Sequence, residues 1–165
     1  MGAATPTLET VVTAIKTQID AISPSVGTVL TGFHGYEDEV EYILRNSYIA
    51  SGAMNLWFVD VADVDEVEGP ATQENYEQYN IKITYWSSRK NDVDWSKKAR
   101  QNAEAVRDKL SLNSAIFAIG GQRQVRTPET VQIESHGPFD IDGTDGAQRI
   151  YRTVVALAVE GRRFA

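Results

Sequence analysis

Residues 76–86 read YEQYNIKITYW. Tyr79, Ile81, Ile83 and Tyr85 fall on one side of a period-two pattern, and Asn80, Lys82 and Thr84 on the other. That alternation predicts a strand with one buried face. Residues 55–62 (NLWFVDVA) repeat it, with Trp57, Val59 and Val61 on one face. Two such runs predict neighbours in an antiparallel sheet that packs one face on helices. Between them lies an acidic stretch, Asp63 to Asn75, which contains Gly69-Pro70. It is too long for a tight hairpin and too polar for a core, so it reads as a loop.

Two helices are predicted to flank these strands. Over residues 8–22, Leu8, Val11, Val12, Ile15, Ile19 and Ile22 recur at helical spacing. Thr5 and Pro6 suit its start, and Pro24 and Gly27 end it. Over residues 94–110, Asp94 is a good N-cap, and Trp95, Ala99, Ala103, Val106 and Leu110 make a narrow apolar stripe. The small side chains of Ala99 and Ala103 permit close approach to a sheet.

Shorter signals complete the pattern. Residues 26–33 read as a strand, 34–54 lean to strand over helix, and 115–119, 122–126 and 131–135 read as short strands. Residues 149–160 (RIYRTVVALAVE) alternate with both faces apolar, which predicts a central strand. The order of elements is that of an α+β fold. The expectation is a single domain over 1–165, with a mostly antiparallel or mixed sheet and both helices (8–22 and 94–110) packed on one face.

Composition excludes several classes of function. The chain of 165 residues has no cysteine, so disulfides, thiol catalysis and thiolate metal sites are absent. With only His34 and His136, a zinc site built on several histidines is excluded too. The net charge of −7 argues against gripping nucleic acid through its phosphates. The N-terminal MGAATPTLET has neither a basic nor an apolar signal region, and no apolar run approaches the length that spans a bilayer. A soluble protein made in a cytoplasm is expected, with no membrane partner.

Charge is unevenly distributed. Residues 37–77 hold eleven acids against the one base Arg45, and ten of the sixteen bases lie between Lys82 and Arg126. One reading is two solvated faces. The other is a subunit whose acidic surface meets the basic surface of an identical neighbour, a head-to-tail contact that can close into a ring. Its candidate interface residues are Asp63, Asp65, Glu66 and Glu68 on one side and Arg89, Lys90, Lys97, Lys98 and Arg100 on the other.

Reactive constellations are weak. Asp140, Asp142 and Asp145 in DIDGTDG lack the spacing and closing Glu of a calcium loop and read better as a polar turn. Asp60, Asp63 and Asp65 could hold magnesium, but no basic phosphate cradle accompanies them. His34 and Glu37 offer a base and an acid, and His136 a second base, without a nucleophile in a recognisable setting. Gly120-Gly121 lacks the rest of a phosphate-binding loop. Trp57, Trp86 and Trp95 could line a ligand cleft but suit a core better. No catalytic, cofactor or metal site is expected, and the chain is not expected to be an enzyme.

Taken in order, five segments resemble the tail terminator proteins of long-tailed, lambda-like phages: LETVVTAIKTQIDAI, NLWFVDV, YNIKITYWSSR, WSKKARQNAEAVRDKL and RIYRTVVALAVEGRR. The resemblance implies a virion protein at the head-proximal end of the tail, assembled in the host cytoplasm. It implies a hexameric ring that caps the tail tube, stops its polymerisation and meets the head-side connector, with DNA passing through the lumen. The candidate interface residues above would then serve between subunits or toward the tube. The 63–75 connection is expected to be mobile in the free subunit and ordered by assembly. The alternatives are another neck, tail-completion or tube protein, and a small enzyme or ligand-binding domain using His34, Glu37 and the tryptophans.

Overall fold

A computed structural model of the chain describes residues 8–31, 53–68, 75–89, 94–111, 124–130, 134–139 and 148–164. In order these form α1 (Leu8–Asp20), β1 (Thr28–Thr31), β2 (Ala53–Glu68), β3 (Asn75–Arg89), α2 (Trp95–Ser111), β4 (Gln124–Thr130), β5 (Glu134–Phe139) and β6 (Gln148–Phe164). The fold is α+β. Its six-stranded sheet runs β1-β2-β3-β6-β4, and β5 also pairs with β6. The sheet is mixed: β1 is parallel to β2, and every other pair is antiparallel.

The period-two reading holds for the face toward the helices, but the expectation of a single buried face does not: Leu56, Phe58, Thr84 and Trp86 on the opposite face of β2 and β3 are buried too. Trp57 stands opposite Tyr85 and Val59 opposite Ile83. On the other side of β3, Ile83 meets Val155, Ile81 meets Leu157 and Tyr79 meets Val159. These residues form one buried cluster with Val11, Ile15 and Ile19 of α1 and Ala99, Ala103, Val106 and Leu110 of α2. Both helices therefore share a face of the sheet. Leu8, Val12 and Ile22 pack at the margin of the cluster. The strand β6 lies inside the sheet, between β3 and the pair β4 and β5.

Helix ends match their local chemistry. The Asp94 carbonyl accepts the N–H groups of Lys97 (3.0 Å) and Lys98 (3.2 Å), which starts α2 one residue after Asp94. At the end of α1, the N–H of Ala21 bonds to Thr17 O and that of Ile22 to Ile19 O, a tightening final turn before Pro24. Gly27 then takes φ +133°, a backbone conformation that favours glycine.

Several boundaries differ from expectation. The stretch from Asp63 to Asn75 is largely not a loop. β2 continues to Glu68 and β3 begins at Asn75, with Asp63 opposite Asn80 and Glu68 opposite Asn75. Strand pairing needs backbone hydrogen bonds, not apolar side chains, so an acidic sequence can complete a ladder wherever its side chains reach water. Residues 69–74, and the expected mobility of this connection, lie outside the described residues, as do 34–52 and the strand expected at 115–119. The strand expected over 26–33 is described only over Thr28–Thr31. The strands expected at 122–126 and 131–135 are found at Gln124–Thr130 and Glu134–Phe139, where Pro128 and Pro138 sit within edge strands.

Candidate functional site

The three long strands have 16, 15 and 17 residues. At roughly 3.3 Å per residue they run about 50 Å, whereas a 17-residue helix such as α2 spans only about 25 Å. The helix layer therefore covers part of the sheet's length. Tyr79 is 4% exposed, while its partner Val64 is 44% exposed. On either side of that level β2 carries the acidic candidates, Asp63 before it and Asp65, Glu66 and Glu68 after it.

A bulge between Val61 and Asp63 changes the phase of the alternation in β2. It sets Val64 opposite Tyr79 and Asp65 opposite Gln78. Asp65 is exposed. Its carboxylate accepts the Nδ2 donor of Asn80 at 2.8 Å, and Asn80 Oδ1 accepts Gln78 Nε2 at 3.1 Å. Glu77 accepts the Tyr79 hydroxyl at 3.0 Å. The register also places Glu66 directly opposite Glu77. Like charges at opposed positions destabilise a strand pair, so this end of the sheet concentrates negative potential at a local cost. Asp63, Asp65, Glu66 and Glu68 thus lie on the final stretch of β2 rather than on a loop.

The basic candidates stand elsewhere. Arg89 is the last residue of β3, opposite Ala53 at the far end of the β2–β3 ladder. Lys90 lies outside the described residues. Lys97, Lys98 and Arg100 are exposed on the first two turns of α2, and none forms an ion pair among the described residues. The first turn of α2 has no acid. Cations at a helix N-terminus oppose the helix dipole, so these charges are not there to stabilise α2. Within one copy the two sets stay apart. Glu77 and Arg89 are separated by about 40 Å of strand, and the six residues from Arg89 to Trp95 can cover only about 20 Å.

The three tryptophans are buried, Trp57 and Trp86 in the sheet and Trp95 at the start of α2. Arg152 stands opposite Trp86 with its guanidinium carbon 5.7 Å from the ring centroid. His34 and Glu37 lie outside the described residues, as do Asp140, Asp142 and Asp145 and the Gly120-Gly121 pair. Among the described residues no group of three or more His, Asp or Glu could hold a metal ion. No described helix is long and apolar enough to cross a membrane.

Sequence reading missed the polar chain that meets Asp65, namely Asn80 and, through it, Gln78. The available signal was the polar side of the 76–86 alternation, which had to face something similarly polar across the ladder.

No protein-family profile matches the chain, and no curated protein sequence matches it. Among solved structures, it is similar to a chain in the virion of a native gene transfer agent particle. The identity is 15% and the TM-score 0.42, over 91% of this chain and 94% of that chain.

Proposed function

We propose that this protein is a structural subunit of a phage-like tail: a terminator that closes into a ring, caps the tail tube, halts its growth and offers a surface to the head-side connector. No covalent chemistry is involved. The reading draws on the likeness of five sequence segments to lambda-like tail terminators. Those segments fold as α1, β2, β3, α2 and β6, the helix layer and the long strands of the sheet.

The observation that carries the reading is the separation of opposite charges on one subunit. Acids collect on β2 from Asp63 to Glu68, and cations that form no ion pair among the described residues stand on the first turns of α2. Opposite surfaces that cannot meet within a copy can meet between copies, and a head-to-tail contact of that kind closes when its rotation closes. An acidic lumen would also let DNA phosphates slide past without sticking.

Negative-stain imaging of the purified protein, alone and mixed with growing tail tubes, tests the proposal. A terminator forms discrete rings, decorates one end of a tube and stops elongation. A tube protein polymerises unaided, and that outcome would replace the terminator reading. A monomer at every concentration that never binds a tube end would remove both.

A further inference from the structure

Where α2 crosses the sheet near Tyr85, the layer between them is polar. Asn55, Ser87 and Tyr151 stand abreast on β2, β3 and β6, and Trp57, Tyr85 and Thr153 form the next row. Residues two apart on a strand share a face, so both rows lie on the helix side of the sheet, with Trp57, Tyr85 and Val155 of the buried cluster. Asn102 of α2 reaches the Tyr85 hydroxyl at 2.9 Å, which places α2 over this corner. One turn earlier on the same helix the buried Ala99 contributes only a methyl group.

Two hydroxyls here lack partners. Ser87 is 0% exposed and Thr153 2%, yet among the described residues neither Ser87 Oγ nor Thr153 Oγ1 has a hydrogen-bond partner. A buried hydroxyl left alone costs free energy, so such groups in folded proteins are met by protein or by ordered water. Ser87 faces Tyr151 and Thr153 faces Tyr85, so the two hydroxyl residues are diagonal neighbours on one face of the β3–β6 pair. Diagonal positions lie roughly 7 Å apart, which suits two short side chains joined through one small molecule better than a direct bond. The Tyr85 hydroxyl is the third polar group of the corner. It accepts from Asn102, donates to Asn55 opposite Ser87, and keeps a lone pair. Thr84 Oγ1 is also buried without a partner, but Thr84 lies on the other face between Phe58 and Val154, which offer no polar side chain.

We infer that one water molecule is held beneath α2 by Ser87 Oγ, Thr153 Oγ1 and the Tyr85 hydroxyl. A buried water needs roughly two to four polar partners, and this corner supplies three. Through Tyr85 and Asn102 the water ties β3 and β6 to the helix that carries Lys97, Lys98 and Arg100. The inference stands independently of the ring reading.

Magnetic relaxation dispersion of the solvent oxygen signal counts waters that stay inside a protein, and urea unfolding reads what the hydroxyls contribute. Both are measured on the full chain. Ser87→Ala and Thr153→Val each remove one partner and strand the other, so each should unfold at lower urea than wild type. The double variant, Ser87→Ala with Thr153→Val, should hold one long-lived water fewer than wild type. Thr153→Ser keeps the oxygen and should keep the wild-type count. Single variants that unfold at or above the wild-type midpoint would mean that the hydroxyls have no bridging partner to lose. An unchanged count in the double variant would mean that they share no water. Either result overturns the inference, as does loss of the water in Thr153→Ser.

Discussion

The indole of Trp57 lies flat on the ring of Tyr85, with centroids 4.0 Å apart and planes 10° from parallel. The two residues face each other across the β2–β3 ladder, so the stack joins two strands beneath the helix layer. Trp57 also donates its Nε1 proton to the Val26 carbonyl at 3.0 Å, which fastens the approach to β1. The Tyr85 hydroxyl accepts the Nδ2 proton of Asn102 at 2.9 Å and donates to Asn55 Oδ1. One aromatic pair thus connects β1, β2, β3 and α2.

Loss of the indole should be costly. Trp57→Ala is expected to destabilise the fold by about 3–5 kcal/mol, through lost burial and the cavity left behind. Trp57→Phe retains most of the apolar surface but leaves the buried Val26 carbonyl without its donor, at about 1–3 kcal/mol. Urea unfolding at neutral pH should rank the variants in that order. Equal stability of Trp57→Phe and wild type would contradict the role given to the hydrogen bond.

Tyr85 predicts a loss of stability at high pH. Burial pushes its hydroxyl up to about 12 from 10.0, against the lowering effect of its bond to Asn102. Between those values the unfolded chain releases the phenol proton while the folded chain keeps it. The contribution of Tyr85 is therefore complete below pH 10 and falls as pH rises toward 12, by about 1.4 kcal/mol per unit at its steepest. Tyr85→Phe should be less stable than wild type at pH 8, because Asn55 and Asn102 lose a partner. The difference should narrow by pH 11. Parallel denaturation curves for the two proteins at pH 8 and 11 provide the check.

Gly27 is required by both conformation and space. A Cβ there would come 2.7 Å from Asn55 Cβ and 2.8 Å from Asn55 O, on a backbone with φ +133°. Gly27→Ala should cost at least about 1–3 kcal/mol from the backbone conformation alone, with the clash against Asn55 added. A thermal midpoint within a degree of wild type would refute this.

The cations of α2 separate stability from assembly. Lys97→Glu with Lys98→Glu places acids where the helix dipole favours them, so the subunit should unfold at equal or slightly higher denaturant concentration. The same protein should assemble more weakly. Asp65→Lys with Glu66→Lys is expected to weaken assembly too, without unfolding the subunit, since Asp65 is exposed. Paired denaturation and sedimentation experiments read the two effects independently. Assembly unchanged in both variants would remove these residues from the interface.

The burial of Leu56, Phe58 and Trp86 on the far side of the sheet was not legible in the amino-acid sequence, which by itself determined the two amphipathic helices, the helix-facing side of β2 and β3 and the internal position of β6. These depend on local periodicity: side chains repeat every two residues along a strand and about every 3.6 around a helix, and burial selects one side. The five-residue apolar stripe predicted for α2, from Trp95 to Leu110, is the buried set in the fold. Only the tertiary structure decided how far β2 continues. Residues 63–68 look like a loop because they are acidic and lead into Gly69-Pro70, yet β3 supplies strand partners for them. The bulge at Val61/Asp63 then moves Asp65 to the polar side shared with Asn80, a shift of phase that periodicity cannot carry across. The parallel pairing of β1 with β2 likewise depends on contacts between residues distant in sequence. Those contacts form only when the whole sheet is assembled.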